Sequence, residues 1–94
     1  MTDAEHVVGE FVVCNAAGLH ARAAARLAAT ATAYESHIEV EKDGRRVDAK
    51  SIMGLLLLCG QRGTVLRIHA EGHDATAALT AVGQLIESRF GEEV

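Results

Sequence analysis

The alternation of apolar and polar residues predicts β-strands in three parts of the chain. Glu10–Cys14 is short and rich in strand-forming residues. Residues 38–42 alternate between apolar and charged side chains, and Asp43-Gly44 separates them from residues 45–47. A two-residue Asp-Gly connection between strand patterns is typical of a tight hairpin. A further strand is predicted over Thr64–Ala70, so the sheet would contain four strands.

Helical periodicity is found in three other segments. Residues 21–33 are rich in alanine, and their apolar side chains recur at i, i+3, i+4 and i+7. A short helix is predicted from Ser51, its N-cap, to about Leu58. The last helix should begin after Asp74, the expected N-cap, with an apolar stripe that continues to Phe90. The order β-α-β-β-α-β-α predicts an α+β fold, with a four-stranded antiparallel sheet and all three helices on one face.

Chain length and charge narrow the possible functions. A chain of 94 residues has room for one hydrophobic core, so we expect a single domain over residues 1–94. Nearly half of the residues are apolar (49%), which is enough for a folded protein rather than a disordered one. The net charge of -4 argues against a nucleic-acid-binding protein, because such proteins neutralise phosphates with basic residues.

The cysteines and the apolar runs indicate a cytoplasmic protein. Cys14 and Cys59 lie far apart in the sequence and form no CxxC motif, so we expect two reduced thiols. The N-terminus is acidic and contains no apolar signal sequence. The longest apolar run, Leu55–Cys59, is far shorter than the roughly 20 residues that span a bilayer. We therefore expect no membrane insertion.

His20 is the residue with the clearest chemical potential. It follows Gly18 and stands at the predicted start of the first helix, where unpaired N–H groups and the helix dipole form an anion site. The same field favours the neutral, nucleophilic imidazole. Arg22, two residues later, could bind a dianionic group on His20 through charge-assisted hydrogen bonds. This pattern suits a phosphohistidine, but a histidine near a helix start is also a common structural accident.

Two longer segments resemble the signatures of a known family. Gly18-Leu19-His20-Ala21-Arg22, and then Ala49-Lys50-Ser51-Ile52-Met53-Gly54-Leu55, are similar to the two motifs of HPr, the histidine-containing phosphocarrier of the bacterial phosphotransferase system. The separation of the motifs matches, and the resemblance extends from about Phe11 to Phe90. It implies an open-faced β-sandwich of four antiparallel strands and three helices.

The resemblance also implies a function and a set of partners. His20 would be phosphorylated on Nδ1 by enzyme I, with phosphoenolpyruvate as the ultimate donor, and would pass the group to EIIA proteins. Arg22 would hold the phosphate, and Ala21 and Arg26 would lie in the partner-binding surface. Ser51 matches the family's regulatory serine, the target of HPr kinase/phosphorylase. No cofactor is implied, the protein would be a stoichiometric carrier rather than an enzyme, and we expect a monomer.

The second motif suggests a docking surface on physical grounds as well. A short helix on a sheet buries only about half of its circumference. Leu55 and Leu58 are the natural core pair, so Ile52, Met53 and Leu56 are candidates for exposure. Exposed apolar side chains commonly mark a partner site, and methionine suits a surface that meets several partners. A slightly apolar surface helix without a partner is the alternative.

Three positions depart from the usual family pattern. Ala23 stands where proline usually follows the arginine, Ala17 replaces a polar residue, and Gly54 replaces a residue that is often lysine. These changes concern the partners and the branch of the system that the protein serves. Besides the sugar-transport carrier, a regulatory carrier of the nitrogen-related branch and a non-catalytic binding module therefore stay open.

The other histidines follow no metal-ligand spacing. We interpret them as surface or sheet-edge residues and expect no metal site. They are His6, His37, His69 and His73.

Overall fold

The computed structural model describes residues 5–94 and contains a four-stranded antiparallel sheet with three helices. The strands are β1 (Glu5–Val12), β2 (His37–Lys42), β3 (Arg45–Asp48) and β4 (Val65–Gly72). The helices are α1 (Ala21–Thr32), α2 (Ile52–Leu57) and α3 (Ala75–Glu87), followed by a 3₁₀ turn over Arg89–Gly91. The strand order in the sheet is β1-β4-β2-β3. The predicted fold class and element order are confirmed.

The core lies between the sheet and the helices. On β4, Leu66 and Ile68 are buried, whereas Val65 and Arg67 on the other face are exposed. Helix α1 contributes mostly small side chains to the core, with Leu27 as its one large apolar residue. Small side chains allow α1 to pack closely against both other helices.

The predicted hairpin joins β2 to β3. Lys42 pairs with Arg45, and the two residues between them both have positive φ angles, +51° for Asp43 and +84° for Gly44. Two consecutive positive φ values define the type I′ turn, whose twist matches that of the flanking strands. The Asp-Gly signal in the sequence was therefore correct.

Two element boundaries differ from the prediction by more than two residues. Strand β1 begins by Glu5 rather than at Glu10, because residues 5–9 pair with residues 68–72 of β4. Helix α3 ends at Glu87, and Phe90 is buried from the 3₁₀ turn with φ +53° rather than from the helical stripe. In both cases a tertiary contact decides the boundary.

His69 is not the surface residue that we predicted. Only 8% of it is exposed, although it lies on the outer face of the sheet. Its Nε2 lies 2.7 Å from Glu41 Oε1, and Arg46 approaches its Nδ1 at 3.4 Å. Long side chains on β2 and β3 thus cover this histidine, which an alternation pattern cannot reveal. His6, His37 and His73 are exposed, as predicted.

Both cysteines are free thiols, as predicted, with Cys59 exposed and Cys14 half-buried. In the described part of the chain, no helix has the length and apolar character needed to cross a membrane.

Asp74 precedes α3, but its side chain does not cap that helix. Its carboxylate instead accepts hydrogen bonds from the main-chain N–H groups of Glu35 and Ser36, each at 2.9 Å, and from the Ser36 hydroxyl. These hydrogen bonds lower the pKa of Asp74 to about 2, and the bond from the Ser36 hydroxyl has the largest effect. Asp74 is the predicted N-cap residue by position, since its carbonyl accepts from Ala78 N at 2.9 Å, but its side chain tethers the α1–β2 connection to the start of α3 instead of capping the helix.

The Asp74 tether should make stability depend on pH. Because its folded-state pKa lies below the ordinary value of 3.8, the ionised carboxylate stabilises the fold above pH 4, and this stabilisation disappears as the pH falls toward 2. We expect Asp74→Asn to lower the free energy of unfolding at pH 7, with a deficit that shrinks between pH 4 and pH 2. Urea titrations of both proteins across that range measure it, and a deficit independent of pH would contradict the assignment.

Candidate functional site

The site lies where the loop after β1 meets the loop before β4. The two strands continue to pair through their main chains beyond their last residues: Val13 N donates to Thr64 O at 2.9 Å, and Gly63 N donates to Val13 O at 2.7 Å. Further on, Leu19 N donates to Gly60 O at 2.7 Å. The residue that precedes His20 is thereby held against the loop that follows α2.

Gly18 is required by this close approach. Its φ is +71°, and a Cβ atom there would lie 2.7 Å from Gly60 O, closer than van der Waals contact permits. The glycine of the first motif therefore lets the chain reverse direction immediately before His20.

His20 is the N-cap of α1. Its backbone is extended, its carbonyl accepts from Ala24 N at 2.8 Å, and its Nδ1 accepts from Arg22 N at 3.3 Å. About a third of the side chain is exposed (33%). One side of the ring therefore presents Nδ1 at the N-terminus of a twelve-residue helix, where N–H groups lack partners within the helix.

The other ring nitrogen contacts the C-terminal segment. His20 Nε2 forms a short hydrogen bond with Glu92 Oε2, and Glu92 Oε1 accepts from Asn15 Nδ2 at 2.8 Å. The same Asn15 amide donates to Gly18 O at 2.8 Å, and Asn15 is fully buried. The hydrogen bonds from Asn15 and His20 lower the pKa of the Glu92 carboxyl, and the bond from Asn15 has the larger effect. Glu92 therefore stays ionised at neutral pH.

The C-terminal segment is fixed over the site by two contacts. The Phe90 side chain is fully buried, and its carbonyl accepts a hydrogen bond from the Arg26 guanidinium on α1. Arg89, Phe90 and Gly91 all have positive φ angles, which reverse the chain after α3. Glu92 is thus delivered to His20 by an anchored turn.

The residues of α1 that were singled out in the sequence differ in exposure and in their contacts. Ala21 and Arg22 are exposed at the first turn beside His20. Among residues 5–94, Arg22 is hydrogen-bonded to the His20 ring through its main-chain N, and none of the hydrogen bonds or ion pairs involves its guanidinium. Arg26 was predicted to face partners, but its guanidinium holds the Phe90 carbonyl. Ala23, at the position usually taken by proline, is fully buried.

Helix α2 presents an apolar surface, with one change from the prediction. Ser51 is its N-cap, since Ser51 Oγ accepts from Gly54 N at 3.0 Å. Ile52 and Met53 are exposed (43% and 72%), as predicted. Leu56 is instead half-buried against the core, and Leu57 is exposed (62%). Leu57 lies one turn from Met53 on the same helix face, so the two form a continuous apolar patch.

The end of α2 borders the histidine. The loop that follows it supplies Cys59, Gly60 and Gln61 to a shallow depression that His20 and Leu19 also line. Helix α2 also packs against α1, the helix that His20 caps. Among residues 5–94, no group of three or more His, Cys, Asp or Glu residues is arranged to hold a metal ion.

Sequence reasoning missed Asn15 and Glu92. They lie 5 and 72 positions from His20 in opposite directions, and no spacing rule connects them. The available signals were weak: an asparagine directly after an apolar strand, and an aromatic residue followed by Gly-Glu after the last helix. Only the folded chain brings both to the ring.

Comparison with known proteins identifies the family. The family described as "PTS HPr component phosphorylation site" matches residues 7–88. The chain belongs to the HPr phosphocarrier family. It is 44% identical over 84 residues to phosphocarrier protein HPr of Xylella fastidiosa (strain 9a5c), covering 89% of this chain and 94% of that protein. It is 37% identical over 83 residues to phosphocarrier protein NPr of Shewanella violacea, covering 88% of this chain and 91% of that protein.

Solved structures of the HPr family share the fold. The structure of HPr-C-His from Thermoanaerobacter tengcongensis superimposes with a TM-score of 0.87 at 46% identity, covering 96% of this chain and 99% of that one. The matched region includes both sequence motifs, so the resemblance inferred from them is confirmed at the level of the family.

A glycine substitution can test the loop contact beneath His20. Gly18→Ala should cost roughly 1–2 kcal/mol for the left-handed backbone, plus a further ~1–3 kcal/mol for the clash with Gly60 O. Gly44→Ala is the matched control, because Gly44 also has a positive φ but no atom within 4 Å of the added Cβ. Urea denaturation of both variants measures the difference, and equal losses would contradict the loop contact.

Proposed function

We propose that this protein accepts a phosphoryl group on His20 from enzyme I, with phosphoenolpyruvate as the ultimate donor, and passes it to EIIA proteins. The observation that carries the proposal is the placement of His20 Nδ1 at the N-terminus of α1, 3.3 Å from Arg22 N. Membership of a family defined by its phosphorylation site supports it.

The surroundings of Nδ1 suit a phosphoryl group. Helix N-termini bind phosphate because their N–H groups and dipole favour negative charge. The exposed Arg22 guanidinium can add charge-assisted hydrogen bonds to the phosphate oxygens. Histidine is an effective covalent carrier when its reactive nitrogen is unprotonated. The protein would act stoichiometrically in the cytoplasm and as a monomer, returning to its free form when an acceptor takes the group.

The sugar-transport branch is favoured over the nitrogen-related branch. The HPr of Xylella fastidiosa is more similar than the NPr of Shewanella violacea, at 44% against 37% identity. The regulatory carrier is the second candidate, since both names occur among the relatives. Offering the phosphorylated protein to EIIA proteins of each branch, and comparing transfer rates, distinguishes them.

The docking surface for these partners is proposed to surround His20. It comprises Ala21 and two predicted apolar residues of α2, Ile52 and Met53. The structure adds the exposed Leu57, and the half-buried Leu56 contributes only its exposed part. Arg26 would contribute through its exposed part, since its guanidinium is bound to the Phe90 carbonyl. Ser51, at the start of α2, is proposed as a target of an HPr kinase/phosphorylase.

Replacing the histidine tests the carrier function. His20→Ala should abolish the acid-labile mass increase that phosphoenolpyruvate and enzyme I produce, while circular dichroism stays unchanged. His73→Ala is the matched control, because His73 also precedes a helix and contacts a glutamate through Nε2. That variant should be labelled fully. Intact-mass measurement decides the matter, and acid-labile labelling of the His20→Ala protein would contradict the assignment.

Two substitutions on α2 test the docking surface. Ser51→Asp should leave the melting temperature unchanged or slightly raised, because aspartate is a good N-cap. Its charge would be desolvated on docking, so transfer from enzyme I should slow at least tenfold, or roughly 1.4 kcal/mol in the barrier. Met53→Ala should slow transfer by removing contact area, whereas Val8→Ala, at an exposed position on β1, should not. Wild-type initial rates for both α2 variants would exclude this surface.

A further inference from the structure

We infer that Glu92 is a positioning residue for His20: its carboxylate holds the proton on Nε2 and thereby leaves the lone pair on Nδ1. This inference deepens the proposed function and rests on it where it concerns phosphoryl transfer. It assigns a role in the carrier site to the segment after α3, 72 residues from the histidine.

The protonation pattern follows from the chemistry of the two partners. An ionised carboxylate has no proton and can only accept hydrogen bonds. Since Glu92 Oε2 is hydrogen-bonded to His20 Nε2, the proton of that bond must belong to Nε2. In the neutral ring Nδ1 is then the unprotonated nitrogen, and it faces Arg22 N, which is a donor. Both neighbours of the ring therefore select the same tautomer.

Asn15 fixes the carboxylate that makes this selection. Its Nδ2 lies 2.8 Å from both Gly18 O and Glu92 Oε1, which are acceptors. The amide orientation is therefore determined, because the carbonyl oxygen of Asn15 in that place would face two acceptors. With Oε1 held by a fully buried asparagine, Oε2 is directed at the imidazole.

The backbone before Glu92 is equally constrained. The Phe90 side chain is buried in the core, and the Arg26 guanidinium binds the Phe90 carbonyl. The Glu92 side chain is only 17% exposed, so solvent competes weakly for its oxygens. A freely moving C-terminal glutamate would not provide such a fixed acceptor.

The transfer step balances without moving this proton. The Nδ1 lone pair leaves its hydrogen bond with Arg22 N and forms the bond to phosphorus, while the bond from phosphorus to the donor atom of enzyme I breaks and that atom keeps the electron pair. Nε2 keeps its proton, so the phosphorylated ring carries a positive charge next to the Glu92 carboxylate. When the group passes on, the electron pair of the N–P bond returns to Nδ1. Glu92 thus orients the ring and offsets its charge in the phosphorylated state without accepting a proton.

Glu92→Gln should remove the selection that is made at Nε2. The Gln amide oxygen would stay with the Asn15 donor, and its NH₂ group would then face Nε2 of His20 and donate to it. A donor beside Nε2 favours the proton on Nδ1, whereas Arg22 N still opposes it there, so the Nδ1–H tautomer gains population without fully replacing the other. We expect ¹⁵N NMR of His20 to show the Nε2–H tautomer in the wild-type protein and a clearly larger Nδ1–H fraction in the variant. The initial rate of phosphorylation by phosphoenolpyruvate and enzyme I should fall at least tenfold.

Glu93→Gln is the matched control. It removes the same charge one residue further along, from an exposed side chain, and should change neither tautomer nor rate. Slow transfer by Glu92→Gln with the wild-type tautomer would overturn the inference, and so would an equal effect of Glu93→Gln. If the wild-type protein accepts no phosphoryl group, the proposed function fails, while the NMR comparison still decides the role of Glu92.

Discussion

The antiparallel pairing of β1 with β4 is the constraint on which the rest of the structure depends. Eight residue pairs, from Glu5 with Gly72 to Val12 with Val65, fix the register of the two longest strands. Because the last residue of β1 pairs with the first residue of β4, the loop after β1 and the loop before β4 must meet at the same end of the sheet. The hydrogen bond from Leu19 to Gly60 is one result, and the position of His20 is another.

This placement gives the two nitrogens of His20 different surroundings. Nδ1 faces the main chain at the start of α1, where an anion is stabilised, and Nε2 faces an ionised carboxylate. The surroundings of Nδ1 depend on local sequence, whereas those of Nε2 depend on a long-range contact. The helix start is local, set by a glycine, a histidine and an alanine-rich segment, whereas the carboxylate is held by an anchor between Phe90 and Arg26. An asymmetric imidazole of this kind suits reversible transfer, because one nitrogen can react while the other keeps its proton.

The helices of the protein serve two purposes. Helices α1 and α3 bury one face each and close the core, whereas α2 is too short to bury all of its apolar side chains. Met53 and Leu57 therefore stay exposed on a helix that leads directly into the loop beside His20. Exposed apolar side chains of this kind commonly mark a contact surface for another protein.

The sequence by itself determined the element order, the Asp-Gly hairpin, the N-cap Ser51 and the position of His20 at the start of the first helix. These features depend on periodicity and on turn or cap chemistry, which act over a few residues. It did not determine the extent of β1, the burial of His69, the tether made by Asp74 or the exposure of Leu57. Each of these depends on which elements pack together. The contact of His20 with Glu92 belongs to the same class, because the two residues meet only through a sheet register, a buried aromatic ring and a reversed turn, none of which leaves a short-range pattern in the chain.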